Sequence, residues 1–414
     1  MDTASAGLLG REMLAAERLE EAEVLLRHAL KDPKNNPAYC QDYLRVLFKK
    51  NEYDLALQFI SFYKAPLCHD LLYITLQEII LSKKFSIIDY VWRVQLPGTF
   101  QKTISTFWRA VSLYHQKDHE HGIDLFQISA TEGVAAWNAG NRRSYVELFI
   151  QRGATLSKAQ EIRIMEQCPN PEPAFKWLFA SPELQNRTPI TVISGDDRYV
   201  LRFAEKALEG LHLSGLPVAC HIHIIGGSAT VCEHLQALRT RFSGAILGIT
   251  AEPVPGYPGL ARNALPYFAS ARFLIARSLL KHYDADLIIA DIDSKFTPFV
   301  ANLTSIMEQF DIGFYQKIEE LPWIDTLCGL VYVRQTDGAQ RFLRSLEAIL
   351  REKLKAKPLW MVDQGCLYST ALYFSEADVK VCNFEEETGQ PIACVLSSLC
   401  TEEEKKALRI GEDL

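Results

Sequence analysis

None of the ten cysteines in this 414-residue chain forms a Cys-x-x-Cys pair, and their scatter shows no zinc spacing. Scattered cysteines in a chain this long read as reduced thiols, which predicts a cytoplasmic protein in which the sequons at Asn186 and Asn302 carry no meaning. No apolar run reaches the roughly 18 residues a membrane span requires. Residues 1–10 lack a basic start followed by an apolar stretch, so no signal peptide is expected. There is no Gly-x-x-x-x-Gly-Lys-Ser/Thr, which excludes a P-loop kinase. Positive charge is not in excess either: Lys plus Arg is 44 against 51 Asp plus Glu, a formal net charge of -7. That excludes a general nucleic-acid binder, which needs clustered cations to neutralise phosphates. What remains is an ordinary globular composition, 48% apolar and 23% charged, enough for two or three domains, each with its own core.

From Leu8 to about Ala180 apolar residues recur every three or four positions, the signature of helices. The pattern also repeats. Arg18-Leu19-Glu20-Glu21-Ala22 resembles Glu52-Tyr53-Asp54-Leu55-Ala56, with weaker copies at Lys84–Ile88 and His119–Gly122. Aligning Ala22, Ala56, Ile88 and Gly122 gives spacings of 34, 32 and 34, which match the tetratricopeptide period of two helices per unit. Pro33 and Pro37 fall where such units turn. One helix pair cannot bury its apolar face alone, so neighbours must stack. The expectation is a tetratricopeptide-like helical domain over residues 1–180. It either caps its neighbour, or docks a protein partner or acceptor, or mediates self-association. Trp137, Arg142 and Arg143, near the end of the array, are candidates for a groove lining that nothing in the pattern singles out.

The run Cys168-Pro169-Asn170-Pro171-Glu172-Pro173 ends the helical pattern, and residues 181–189 are loop-like. Beyond them strands alternate with helices: strands at 190–193, 219–225, 245–250 and 287–290, helices near 200–211, 232–241 and 269–283. Such alternation argues for a mostly parallel sheet covered by helices, whose ligands bind at the carboxyl ends of strands. Three polar clusters sit there. In Asp291-Ile292-Asp293, carboxylates two residues apart share a direction in extended chain. They suit Mg²⁺ or Mn²⁺ holding a diphosphate, although many buried strands simply end in an acid. Gly195-Asp196-Asp197-Arg198-Tyr199 offers a carboxylate to a base N–H and a ring to stack on it, or is a polar turn. Asp363-Gln364 suits sugar hydroxyls or a helix N-cap. His221 and His223, on one strand face with no third ligand in view, are expected to be structural.

Taken together and in this order, the clusters resemble the glycosyltransferases of the glycosyltransferase-A fold, in particular the glycogenin and bacterial lipopolysaccharide galactosyltransferase group. The resemblance rests on Asp196-Asp197-Arg198-Tyr199 after the first strand, on Ala271-Arg272-Phe273-Leu274 in a helix before Leu287–Asp293, on Cys328-Gly329-Leu330-Val331-Tyr332, and on Asp363-Gln364. It spans residues 188 to 385. It implies an α/β transferase domain over residues 181–414 that uses a nucleotide-sugar donor, with UDP fitting the base site best. Asp196 would bond the base and Tyr199 stack on it, with Asp197 beside them. Asp291 and Asp293 would hold Mn²⁺ or Mg²⁺. Arg272 would contact the donor diphosphate or sugar, and Asp363 and Gln364 would face the sugar near its anomeric carbon. Retention of configuration is implied, as is a glycan, protein or lipid-linked acceptor.

The sequence also departs from that group. No histidine follows His282, so the third metal ligand of the galactosyltransferases is missing, and Asn383, Glu385 or water is the expected substitute. Leu327-Cys328 stand where an asparagine is usual, and Arg198 replaces another. Two alternatives follow: a scaffold with a degenerate transferase-like domain, and a haloacid-dehalogenase-type phosphatase with Asp291 as nucleophile. Lys295, standing where the phosphatase motif wants Thr or Val, opposes the second. Gly226-Gly227 is only a fragment of a dinucleotide fingerprint, with Ser228-Ala229 in place of further glycines. Trp323 and Trp360 flank the expected site in sequence as sugar platforms or core residues. Arg351–Lys357 is a solvated helix face or a peripheral contact to the inner membrane surface.

Overall fold

The computed structural model of the chain describes residues 1–31, 37–61, 83–93, 99–116, 175–180, 189–213, 219–257, 264–296, 302–316, 326–355, 361–374, 378–388 and 393–395, with a few single positions between these segments. Trp137, Arg142, Arg143, Asn186, Trp323, Trp360 and the proline-rich segment 168–173 lie outside the described residues. The chain divides into two compact units, one built from Met1–Ile150 and one beginning at Gln151.

The first unit is helical. Its described helices are α1 (Thr3–Ala15), α2 (Leu19–Ala29), α3 (Pro37–Lys49), α4 (Tyr53–Ser61), α5 (Phe85–Arg93) and α6 (Thr99–His115). The aligned small or apolar positions Ala22, Ala56 and Ile88 are buried, and so is Gly122. One turn recurs between the helices. Glu17, Asn51 and Lys83 are left-handed, with φ of 58°, 64° and 56°. The residue after each donates its backbone N–H five residues back: Arg18 to Met13 at 2.9 Å, Glu52 to Leu47 at 2.8 Å and Lys84 to Ile79 at 3.1 Å. Asp118 does the same to Leu113 at 2.9 Å. This is the six-to-one bond that closes a helix end by satisfying a carbonyl left free there. These donors follow one another at the 34, 32 and 34 spacing of the sequence pattern.

The second unit is an eight-stranded sheet. Its strands are β1 (Lys176–Ala180), β2 (Ile190–Asp196), β3 (Cys220–Ile225), β4 (Ile246–Glu252), β5 (Leu287–Asp291), β7 (Ile312–Gln316), β8 (Thr326–Val333) and β9 (Val381–Asn383), in the order β1-β4-β3-β2-β5-β8-β7-β9. A separate pair joins β6 (Ser294–Phe296) to β10 (Ala393–Val395). Strands β2 to β5 are mutually parallel, while β8 runs against β5 and β7. The parallel strands read as near-continuous apolar runs because both faces are covered. On one face pack α9 (Leu265–Tyr283), α11 (Asp337–Lys355) and α12 (Val362–Tyr373). On the other pack α7 (Asp197–Leu213), α8 (Ala229–Arg241), α10 (Leu303–Ile306) and α13 (Phe384–Thr388). Alternation along β5 assigns Leu287 and Ile289 to the first core and Ile288 and Ala290 to the second. Asp291, the next residue in phase with Leu287 and Ile289, therefore faces α9.

The expected strands and helices occur within a few residues of the positions read from the sequence. The stretch up to Ala180 differs: residues 176–180 form β1, which pairs antiparallel with β4 at the sheet edge. The run Lys-Trp-Leu-Phe-Ala is too short to distinguish strand from buried helix by periodicity. The register also slips between Trp177 and Phe179, which further blurs the alternation.

Candidate functional site

The chain lays down β2, adds β3 and β4 on one side, and returns to place β5 on the other. The carboxyl ends of β2 and β5 therefore flank the point where strand order reverses, the crevice in which open α/β sheets bind ligands. Ser194 lies opposite Asp291 in register, so Asp196 and Asp291 end neighbouring strands. On β2, Ile190 and Val192 face α9, and the same phase carries Asp196 to that side.

Four chain segments meet at Asp291. Arg272 comes from α9 and is 3% exposed. Its Nη1 lies 2.5 Å from Asp291 Oδ1, and its Nη2 lies 3.2 Å from Asp363 Oδ2 in the first turn of α12. Nη2 also donates to the Cys328 carbonyl at 3.2 Å on β8, while the Cys328 Sγ donates to Asp363 Oδ2 at 3.3 Å. Asp293 and Gln364 are buried beside the cluster, and the Arg272 Nε has no hydrogen-bond partner among the described residues. Burial, aided by Asp363, pushes the Cys328 thiol well above its ordinary range, so it remains an S–H donor. In the sequence Cys328 opens the Gly-led strand and stands near a missing asparagine, with no role of its own; an apolar-looking cysteine on a strand carries no sign of an acceptor 35 residues away.

The electrostatics follow from the count. Asp291, Asp293 and Asp363 surround one guanidinium. Burial raises the Asp291 pKa from 3.8 to about 7; Arg272 lowers it, but Asp293 and Asp363 add to the rise. Burial opposes the charge on Arg272, yet Asp291, Cys328 and Asp363 hold its pKa above the usual value. Fully ionised, these three carboxylates and one arginine carry a formal charge of -2 between them. The Asp291 side chain remains 26% exposed, so the excess charge faces an accessible mouth. A divalent cation is the counter-charge that matches it, and hard carboxylate oxygens are suitable donors. No group of three or more candidate protein ligands occurs among the described residues. Diphosphate oxygens and water would have to complete the shell.

The expected third ligands do not join this cluster. Asn383 Oδ1 accepts the backbone N–H groups of Gln316 and Glu385, each at 3.0 Å, and Glu385 accepts from the Tyr315 hydroxyl at 3.1 Å. Asn383 lies on β9, three strands from β5, which at about 4.8 Å per strand is about 14 Å away.

The two acids after β2 have different positions. Asp196 is 9% exposed. It caps α7 through the Tyr199 N–H at 2.9 Å and meets the exposed Arg198 at 3.1 Å. Asp197 turns to the other side, where its oxygens accept the Gly227 and Ser228 N–H groups at 2.8 and 2.9 Å. It thereby ties down a turn in which Gly226 and Gly227 have φ of 119° and 98°. Tyr199 is half-buried, its ring 5.4 Å from that of Phe203.

His221 and His223 belong to a buried polar chain. The Tyr283 hydroxyl meets His221 Nδ1, His221 Nε2 meets the Thr250 hydroxyl, and that hydroxyl meets His223 Nδ1, each at 2.8 Å. His223 Nε2 then lies 3.1 Å from Glu252, which also accepts from Tyr267. With donors assigned in one direction from Tyr283, every group as far as His223 Nδ1 is matched. Gly248 makes room for it: a Cβ there would stand 2.1 Å from the Tyr283 hydroxyl and 2.6 Å from His221 Nδ1. Arg351, the start of the basic run, is engaged with Glu347 at 2.9 Å.

No family model and no curated protein matches the chain. Among solved structures it is similar to the bifunctional glycosyltransferase WbbM, at 14% identity over 50% of this chain and 40% of that one, with a TM-score of 0.34. It is also similar to the galactosyltransferase LgtC in complex with donor and acceptor sugar analogues, at 17% identity, 47% and 72% coverage and a TM-score of 0.32. A third is the glycosyltransferase GlyE of Streptococcus pneumoniae, at 13% identity, 50% and 47% coverage and a TM-score of 0.31. The match spans about two fifths of WbbM and about half of GlyE. Scores of this size leave the function to be argued from the site's own geometry. No helix among the described residues is long and apolar enough to cross a membrane.

Proposed function

We propose that the second unit transfers a sugar from a nucleotide diphosphate donor, UDP-linked, to a glycan, protein or lipid-linked acceptor. The carrying observation is the meeting of Arg272, Asp291 and Asp363 at the strand-order reversal, beside the end of β2. Asp196 receives a base N–H and Tyr199 offers its ring to the base. Asp291 and Asp293 would hold Mn²⁺ or Mg²⁺, which would offset the charge of the leaving diphosphate. Arg272, fixed by two carboxylates, presents a planar cation to the diphosphate or donor sugar. Asp363 and Gln364 face the anomeric carbon. The bond from that carbon to the diphosphate oxygen breaks, the acceptor oxygen bonds to the same carbon, and the acceptor proton passes to the departing phosphate or a neighbouring carboxylate. We favour retention of configuration and a cytoplasmic site of action.

The test is a panel of nucleotide sugars with the purified chain and Mn²⁺, read as nucleotide release and acceptor glycosylation. Release that is abolished by Asp291→Asn supports the reading. Absence of both UDP binding and release under all donors refutes it.

The helical unit is, in this proposal, a tetratricopeptide-like docking module. A cavity of about 730 Å³ opens there, and its lining repeats at 34-residue intervals, with Arg11 and Arg45, then Leu14 and Phe48, on matching positions. Lys49 and Lys84 add to its positive charge, so an acidic segment of a partner or protein acceptor fits it. Loss of partner capture on Arg45→Glu with Lys84→Glu, at unchanged helicity, is the expected result.

A further inference from the structure

A second positively charged cavity lies in the sheet-bearing unit, away from the candidate transfer site. Its volume is about 510 Å³, and it is lined by Arg277 and Lys281 of α9, by Gln335 and Thr336, and by Arg341 and Arg344 of α11. Among the described residues the only acid in the lining is Asp337. Four cations against one carboxylate invert the sign of the chain as a whole, whose net charge is -7.

Strand directions separate it from the transfer site. Val333, the last residue of β8, pairs with Leu287, the first residue of β5. Gln335 and Thr336 therefore stand at the amino end of β5, whereas Asp291 stands at its carboxyl end. Helix α9 links the two ends: Arg272 and Lys281 are nine residues apart, about 13 Å along the axis.

The cavity is preformed and partly unpaired. Gln335 is held by Asp286 through its backbone N–H at 2.7 Å and by Asp284 through its side chain at 2.9 Å. The Thr336 hydroxyl donates to Asp311 at 2.6 Å. Arg277 is engaged with Glu347 at 3.0 Å, and Arg341 with the Asp378 carbonyl at 2.5 Å. Lys281 and Arg344 have neither an ion pair nor a hydrogen bond among the described residues. Two free cations, two anchored ones and a rigid polar wall define an anion receptor. A cavity of this size takes a small molecule, and a phosphate group offers the charge and acceptor oxygens that such a lining satisfies.

We propose that this cavity is a second ligand site that takes a phosphate-bearing anion, independent of the transfer site. The proposal stands whether or not the second unit is a transferase. It is tested on the full chain in EDTA, so that no metal ion recruits the anion to the candidate transfer site. Inorganic phosphate and pyrophosphate are titrated by thermal shift and calorimetry, and sedimentation is compared for phosphatidate and phosphatidylcholine vesicles. The expected result is saturable binding that Lys281→Gln with Arg344→Gln weakens roughly tenfold or more and that Asp363→Asn leaves in place. Pyrophosphate binding without sedimentation assigns a free phosphate-bearing ligand; sedimentation with phosphatidate alone assigns a lipid headgroup. If the double variant melts early without ligand, the single exposed Arg344→Gln decides by the same criterion. Binding of neither probe, or binding that the substitutions leave unchanged, overturns the proposal.

Discussion

Replacing Arg272 by glutamine removes the only positive charge among the described residues in direct contact with Asp291 and Asp363, at 2.5 and 3.2 Å. Breaking a buried ion pair by deleting one partner costs about 3–5 kcal/mol, because the other charge is left uncompensated. Here two carboxylates lose their partner at once, and the upper half of that range is expected at pH 8 in EDTA. At about 2–4 °C per kcal/mol for a domain of this size, the sheet-bearing unit should melt roughly 10 °C or more earlier. The cost is electrostatic, so it should shrink on acidification. Asp291 already titrates near 7 with Arg272 present, and losing the guanidinium moves its protonation to still higher pH. At pH 5 much of the deficit should disappear. Mn²⁺ should restore part of it at pH 8, since a divalent cation supplies the missing counter-charge. Arg198→Gln is the control. Arg198 meets Asp196 at 3.1 Å, but its side chain is 58% exposed, and surface pairs contribute about 0–1 kcal/mol. The assay is differential scanning fluorimetry at pH 5 and 8, with and without metal. A loss equal at both pH values, or no loss at pH 8, would refute the charge count around Asp291.

Asp291→Asn should show the opposite pH dependence. The folded-state pKa of Asp291 is raised from 3.8 to about 7, so its ionisation lowers wild-type stability as pH rises between those values. The variant should gain on wild type over that window, by at most about 4 kcal/mol, reduced by solvent at its exposed quarter and by the lost Arg272 pair; melting curves at pH 5 and 8 in EDTA measure it. The two acids after β2 should separate cleanly in calorimetry with UDP. Asp196→Ala weakens binding about tenfold, as loss of a hydrogen bond to a base allows, while Asp197→Ala leaves affinity near wild type and costs about 1–2 kcal/mol of stability through the turn it holds. Thr250→Val strands a nitrogen on each of two histidines and should cost about 2–5 kcal/mol in urea unfolding. Burial first, then His223 and His282, hold the His221 pKa well below 6.5. Its contribution is therefore complete above pH 6.5 and lost as pH falls below it, which unfolding midpoints between pH 7.5 and 5.5 will record.

Much of this architecture is visible in local pattern. Runs such as Ile190–Ile193 and Leu287–Ala290 announce strands covered on both faces, because only a sheet buried on both sides tolerates unbroken apolar residues. The 3- and 4-residue apolar spacing announces the helices of the first unit, and the left-handed turns at Glu17, Asn51 and Lys83 follow at intervals of 34 and 32 residues. The acids Asp196 and Asp291 are legible as strand-end residues. Residues 176–180 were misread as helix, since a five-residue edge strand is stabilised by its neighbour β4, which its own sequence does not reveal.

The sequence alone determined on which kind of element each candidate site residue stands, since helical and strand periods are local properties of the chain. Only the tertiary structure decided which of them meet. It turned Asp197 away to a glycine turn while leaving Asp196 at the crevice. It joined Arg272 to Asp363 across 91 residues and brought in Cys328. It also placed Asn383 three strands from the carboxylates it was expected to help. Those outcomes depend on strand order and on how α9 packs across it, and such long-range pairings leave no periodic trace along the chain.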